Sequence, residues 1–229
     1  MNKTIILIGL SLSAPVLLAA GMQQPKNLHW QQKKILNYVD SGAYEKQIAA
    51  VDAKALRALK KAVAENVNSS NKKKLAIVLD IDETSLSNLA TIKATYEIPK
   101  ETGDILPKKV MNTLENQFND PAIKPTLDLY RYAIAHHVTV FFITGRLPSD
   151  KKATKANLQK AGYYRWKKLY LEPQNMNATS AALYKANIRK KITDKGYTIV
   201  LNIGDQESDL RGGYAEHHYK LPDPFYYIK

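Results

Sequence analysis

Three stretches of this chain place oxygen-bearing side chains directly after apolar runs. Asp80-Ile-Asp82-Glu83-Thr84 follows Leu75–Leu79, Thr144-Gly145-Arg146 follows Val138–Ile143, and Gly204-Asp205-Gln-Glu-Ser-Asp209 follows Tyr197–Ile203. Two Asp residues separated by one can turn toward the same pocket at a strand end, because side chains alternate with period two. A hydroxyl followed by Gly suits an anion, since Gly lets backbone N–H groups approach its oxygens. Two carboxylates four apart at the start of a helix can complete a hard-cation site. A cation would come from one of four lysines ahead of the last run: Lys185, Lys190, Lys191 or Lys195. Together these groups suit the transfer of a phosphoryl group: a carboxylate nucleophile, cations to offset repulsion between two anions, and a carboxyl to shuttle the proton. Taken singly, each stretch has a plainer reading: an Asx turn, a tight turn, or acids favoured by a helix dipole.

The elements around these stretches decide between the readings. Short, continuous apolar runs mark strands buried on both faces of a parallel sheet, here 75–79, 138–143 and 197–203, with 169–171 a weaker fourth. Helices are expected between them at about 121–137, at 150–161 ending at Gly162, and ahead of Gly196. This alternation implies right-handed βαβ units and a doubly wound parallel α/β sheet, with ligands at the carboxyl ends of the strands. Residues 28–67 read as two further helices broken at Ser41-Gly42, and Asn68–Lys74 as a polar linker. The stretch from Thr84 to Val138 is too long for a plain crossover. An inserted, cap-like segment is expected there, at about 85–137. The resulting division is a leader at 1–21, a helical segment at 22–74 and a core at 75–229.

Composition narrows the class. With 229 residues, 45% hydrophobic and 24% charged, the chain is ordinary globular material. Cysteine is absent, which excludes disulfides, thiolate nucleophiles, zinc–cysteine sites and a lipidated Cys. The formal charge of +13 would attract anionic substrates or surfaces. The basic residues, however, are scattered over helix faces such as Lys151, Lys152, Lys155 and Lys160, with no Arg cluster and no recognition-helix pattern, so no nucleic-acid partner is expected. Met1-Asn2-Lys3, an apolar stretch from Ile5 to Ala20, and Ala19-Ala20-Gly21 form a cleavable export signal over residues 1–21. Gly9, Ser11, Ser13 and Pro15 and the lack of a basic stop-transfer flank argue against a stable membrane anchor. Periplasmic or secreted localisation follows.

In their order along the chain, the motifs resemble the haloacid dehalogenase (HAD) superfamily: D-x-D-x-T, a strand-end Thr, a Lys, then G-D-x-x-x-D. Within it the chain is most similar to the class B-type acid phosphatases and plant vegetative storage proteins. That similarity is carried by Val78–Thr84, Phe142–Arg146, Tyr184-Lys185 with Arg189, Gly204–Leu210 and the ending Lys220–Tyr227. It runs over about 75–229 and fades in the amino-terminal helices. The resemblance implies Asp80 as nucleophile and magnesium ligand. It implies Asp82 as general acid and later base, lending its backbone carbonyl to the metal. Thr144 and Gly145 would bind the phosphoryl group, and Lys185 would neutralise it and hold Asp80. Asp205 would bind Mg2+, with Asp209 beside it as a ligand or immediate neighbour. The expected substrate is a small phosphomonoester, nucleotides included, and a metal-bound carboxylate that stays ionised in moderate acid is compatible with acid activity. The Thr-Gly-Arg triplet departs from the Asn-Arg form of the related lipoprotein phosphatases.

Two other functions share these motifs. A phosphotransferase would pass the phosphoryl group to an alcohol, and an exported storage or binding protein would keep the fold without turnover. Retention of Asp80, Asp82, Lys185, Asp205 and Asp209 argues against the latter. His136-His137 and His217-His218 lack the i, i+4 spacing of a helical metal site and are not promoted. The 14 Tyr residues are read as packing, and the sequons at Asn68 and Asn177 as short chance matches.

Overall fold

The computed structural model describes residues 25–97, 120–174 and 180–228. The leader expected over residues 1–21 and the Asn177 sequon fall outside that set, as do residues 98–119 of the expected insertion. Each apolar run read as a strand forms one: β1 (Lys74–Leu79), β2 (Thr139–Thr144), β3 (Lys168–Leu171) and β4 (Tyr197–Gly204). A fifth strand, β5 (His217–Lys220), carries no apolar alternation. It lies at the sheet edge with His217, His218 and Lys220 exposed, so nothing in its composition marks it as a strand. The order is β3-β2-β1-β4-β5, and every pair is parallel.

Alternation in the strands feeds two separate cores. Leu75, Ile77 and Leu79 of β1 join Val140, Phe142, Leu201 and Ile203 on one face; Ala76 and Val78 join Phe141, Ile143 and Ile199 on the other. Both faces are apolar because both are covered, as a parallel sheet requires. The first is covered by α1 (Leu28–Asp40), α2 (Ala43–Asn68) and a later helix, and the second by a helix carrying Tyr184, Ile188 and Ile192.

Spacing explains the helices. On α2 the buried residues Tyr44, Ile48, Asp52, Ala55, Leu59 and Val63 recur every three or four positions and form one stripe. Gly42, at φ +74°, makes the turn between α1 and α2 where the sequence breaks. After β1 come α3 (Leu89–Glu97) and α4 (Lys124–Ala135), the latter with Pro125 in its first turn. A 3₁₀ turn at Pro148–Asp150 leads into α5 (Lys151–Lys160). The second face is covered by α6 (Ala181–Thr193), whose start is capped by the Ser180 hydroxyl accepting from the Leu183 N–H at 3.3 Å. A single turn, α7 (Glu207–Leu210), follows β4. No helix among the described residues is long and apolar enough to cross a membrane.

The topology switches at the centre. From β1 the chain builds outward through β2 and β3, then returns to the other side of β1 for β4 and β5. Leu79 is level with Phe142 and with Ile203. The residues that follow these three therefore emerge side by side, at the crevice where ligands bind in such sheets.

Candidate active site

Asp80 continues β1 by one residue, its N–H donating to the Ile203 carbonyl at 3.0 Å. The chain then turns sharply. The N–H groups of Ser85 and Leu86 both donate to the Ile81 carbonyl at 2.8 Å, and the Ser85 hydroxyl donates to the Asp80 carbonyl at 2.6 Å. Glu83 takes φ +51° within this turn, uncommon for a side-chain-bearing residue. Two partners fix its buried carboxylate: the Tyr44 hydroxyl of α2 at 2.9 Å and the Asn88 N–H at 2.5 Å. Burial nevertheless pushes the Glu83 carboxyl up to about 8.

Three of the four residues expected at the metal bring their carboxylates together. Asp80, Asp205 and Asp209 are buried, and one carboxylate oxygen of each lies within 4.8 Å of the others. Asp209 is locked by the Gln206 N–H donating to its Oδ2 at 2.8 Å, and Asp205 by the Thr84 hydroxyl at 3.1 Å and the Gln206 side chain at 2.8 Å. Gly204 is required there, because an added Cβ would occupy the space of the Asp209 side chain. Of the four competing lysines, Lys185 is the one that enters the site. Its ammonium donates to Asp80 Oδ1 at 2.7 Å and to Asp209 Oδ1, whereas Lys190 pairs with Asp194 in solvent.

Three carboxyls face one ammonium, so the pocket would carry two surplus negative charges with all three ionised. Burial and then the Asp209 charge push Asp80 up to about 7, against the pull of Lys185. Burial and the charges of Asp209 and Asp80 raise Asp205 well above the usual carboxylate range. Burial works against a charged Lys185, but Asp209 and Asp80 outweigh it and hold the lysine protonated. An all-oxygen, crowded, carboxyl-rich pocket fits a hard divalent cation.

Asp82 stands apart from that trio. Its carboxylate faces Arg146, with Nε at 3.0 and 3.1 Å and Nη2 at 2.6 Å, and Oδ1 also accepts from the Asn88 side chain at 2.8 Å. Burial raises its pKa, but Arg146, assisted by Asn88, more than offsets this and lowers it. Thr144 is fully buried at the end of β2, its hydroxyl oxygen accepting the Arg146 N–H at 3.1 Å. Gly145 lies beside Glu172, whose Oε2 would be 3.2 Å from an added Cβ.

The chain belongs to the HAD superfamily, subfamily IIIB (acid phosphatase).

That family's model matches residues 9–229, so the likeness extends through the amino-terminal helices, beyond the reach of the strand-end motifs. Among curated relatives, the stem 28 kDa glycoprotein of Glycine max is 38% identical over 156 residues, 66% of this chain and 59% of the relative. Acid phosphatase 1 of Solanum lycopersicum is 33% identical over 152 residues, 66% of this chain and 58% of the relative. Vegetative storage protein 1 of Arabidopsis thaliana is 32% identical over 151 residues, 66% of this chain and 54% of the relative. The matched region thus spans less than two thirds of the length of these relatives. The class C acid phosphatase from Bacillus anthracis shares the fold, with a TM-score of 0.67 at 22% identity, covering 87% of this chain and 86% of the other.

Sequence reasoning gave no role to several residues that shape the site. Arg189 is fully buried on α6, one turn beyond Lys185, and donates to the carbonyls of Gly213 at 2.8 Å, Asp209 at 2.5 Å and Arg211. Burial lowers its pKa to about 10. Gln206 also donates to Asp223 and accepts the Ile228 N–H at 3.1 Å, tying the carboxyl-terminal segment to the Asp205 loop. The Tyr-Lys-x-x-x-Arg spacing was the available signal for Arg189. Nothing local announces the partners of Gln206. His136 stacks on Tyr132, and among the described residues no His joins the carboxylate group.

Proposed function

We propose that this protein is a magnesium-dependent phosphomonoesterase working through an aspartyl-phosphate on Asp80. The reading is supported chiefly by one observation: Lys185 bridges Asp80 and Asp209 inside a buried trio of carboxyls that outnumber their one cation. Asp80, Asp205 and Asp209, with the Asp82 backbone carbonyl, would hold Mg2+, which when bound supplies charge to offset the repulsion between carboxylate and phosphate.

The chain's own groups would do the rest. An Asp80 carboxylate oxygen forms a bond to phosphorus as the ester oxygen leaves, and Asp82, having taken up the proton that a phosphate monoester monoanion carries into the site, passes it to that oxygen. Lys185 holds Asp80 in line and balances charge. Thr144 and the Gly145 backbone receive the phosphoryl oxygens. Asp82 then accepts a proton from the water that hydrolyses the acyl phosphate. As described, Asp82 is a carboxylate paired with Arg146, the form required for this second step. Residues 1–21 are assigned to an export leader, 22–74 to a helical segment and 75–229 to the catalytic core, in a periplasmic or secreted protein.

Relatives named as storage proteins raise a second reading, a non-catalytic protein of the same fold. Retention of the whole carboxylate–lysine set weighs against it.

The test is phosphate release from nucleotides, sugar phosphates, phosphoamino acids and aryl phosphates, with and without chelator, in the parent and in Asp80→Asn. Turnover should require the divalent metal and fall by about 10³-fold or more in the variant, the scale of losing an essential nucleophile. Borohydride should trap the phosphorylated parent as a reduced residue at position 80. Full activity in folded Asp80→Asn, or turnover indifferent to chelator, would sink the reading.

A further inference from the structure

We infer that Arg146 and Asn88 are positioning residues for Asp82, fixing its carboxyl where a leaving oxygen will depart; this rests on the role proposed for Asp82. Three contacts from the Arg146 guanidinium, at 2.6–3.1 Å, grip both Asp82 oxygens, and the Asn88 amide adds a fourth at 2.8 Å on Oδ1. A fork of this kind fixes the plane of a carboxylate as well as its place.

The grip is itself anchored. Arg146 is 6% exposed and follows the Thr144-Gly145 end of β2, so its backbone cannot drift from the phosphate-side residues. Its Nη2 also lies 3.5 Å from Asp120 Oδ2, which receives the Asn157 amide at 3.4 Å from α5. Asn88 is 3% exposed and sits at the start of α3, where its N–H already holds Glu83. Asp82 is therefore positioned by the chain leaving the D-x-D loop at Asn88 and, through Arg146, by the chain returning at Asp120.

No such fixing would be needed for packing alone. A carboxylate that only bound metal through its backbone carbonyl could turn its side chain to solvent, and 20% of the Asp82 side chain is exposed. Oδ1 accepts three of the four contacts and Oδ2 only the one from Nε at 3.1 Å; protonation on Oδ2 gives up that single contact, and the three on Oδ1 keep the direction that proton transfer needs.

The readout is leaving-group dependence. Arg146→Lys keeps the charge but loses the fork; Asn88→Ala removes one contact and leaves the backbone N–H to Glu83. For each variant and for Asp82→Asn, kcat/KM is measured with magnesium on p-nitrophenyl phosphate, whose leaving group scarcely needs a proton, and on a primary alkyl phosphate, whose alkoxide does. Circular dichroism and thermal melts confirm folding. The expected result is an additional loss of about tenfold or more on the alkyl ester over the aryl ester in both variants, a fraction of the about 10²–10⁴-fold that a positioned proton donor contributes. Equal losses on the two esters would mean that Arg146 and Asn88 serve packing or the phosphate common to both, and would overturn the inference. Selective loss in Asp82→Asn alone would overturn the positioning and leave the role of Asp82 intact. An unselective Asp82→Asn would remove both.

Discussion

Asp52 links the packing of α2 against α4 to pH in a way that can be measured. Its side chain lies in the buried stripe of α2 and is 2% exposed. Oδ2 accepts the Thr126 hydroxyl at 2.8 Å, while Oδ1 is buried without a protein partner. Burial pushes the carboxyl up to about 7, against the pull of Thr126. An unfolded Asp titrates near ~4, so the native state binds more protons than the unfolded chain between about pH 4 and 7. The stability Asp52 contributes is thus fully present below about pH 4 and is lost as pH rises through about 7. At 1.36 kcal/mol for each tenfold change in proton activity, the upper limit is about 4 kcal/mol, of which about 3 falls between pH 4.5 and 8. Asp52→Asn keeps the shape and an acceptor for Thr126 but cannot ionise. Any fixed cost of burying the new amide cancels when the difference between variant and parent is compared at two pH values. Urea unfolding followed by circular dichroism, with chelator throughout so that metal binding adds nothing, should show that difference moving by about 2–3 kcal/mol in favour of the variant from pH 4.5 to 8. Parallel stability–pH curves for parent and variant would refute the assignment.

Four other substitutions probe the site and its surroundings from different sides. Gly204→Ala puts a methyl group into the space of the Asp209 side chain; a loss of about 1–3 kcal/mol is expected, with weaker Mg2+ binding by titration calorimetry. Lys185→Met leaves Asp80 and Asp209 uncompensated and should cost up to about 3–5 kcal/mol and nearly all turnover. Lys190→Ala, which removes only an exposed pair with Asp194, should leave phosphate release close to parental. Tyr44→Phe deletes the hydroxyl that donates to buried Glu83; chemical unfolding should register a loss of about 1–3 kcal/mol.

The parts legible in the sequence were those written in local pattern. Strands β1, β2 and β4 declared themselves because a strand buried on both faces must be apolar at every position, and the acids after them stood out against that background. The break at Ser41-Gly42 was equally plain. β5 was not, because an edge strand with His217, His218 and Lys220 in solvent needs no apolar residue there. Residues that act through distant partners were also hidden. Thr-Gly-Arg reads as a turn until Asp82, 64 positions away in sequence, is seen in the fork of Arg146. Gln206 looks like a spacer between Asp205 and Glu207 until Ile228 and Asp223 are found on its amide. Among the four lysines, residue pattern alone left the choice open, and only the Tyr184-Lys185 resemblance singled out Lys185 before the fold placed it against Asp80. Lys185 and Arg189 share one face of α6 and enter the site, while Lys190 points outward to pair with Asp194.

The anchoring of the D-x-D turn also bears on when the protein can become active. Tyr44 holds Glu83 from the amino-terminal side, Thr84 meets Asp205 across 121 positions, and Ile228 braces Gln206 beside Asp205. A ribosome or a membrane pore delivers such a chain from one end, so β1 and its carboxylates emerge long before their partners. Until α6 and β4 have followed, Asp80 has neither Lys185 nor the Asp205–Asp209 loop beside it, and until the segment around Ile228 arrives Gln206 lacks its brace. On the proposed activity, phosphate release would begin only once the segment around Ile228 has been delivered, and its onset could serve as a clock for assembly of the site.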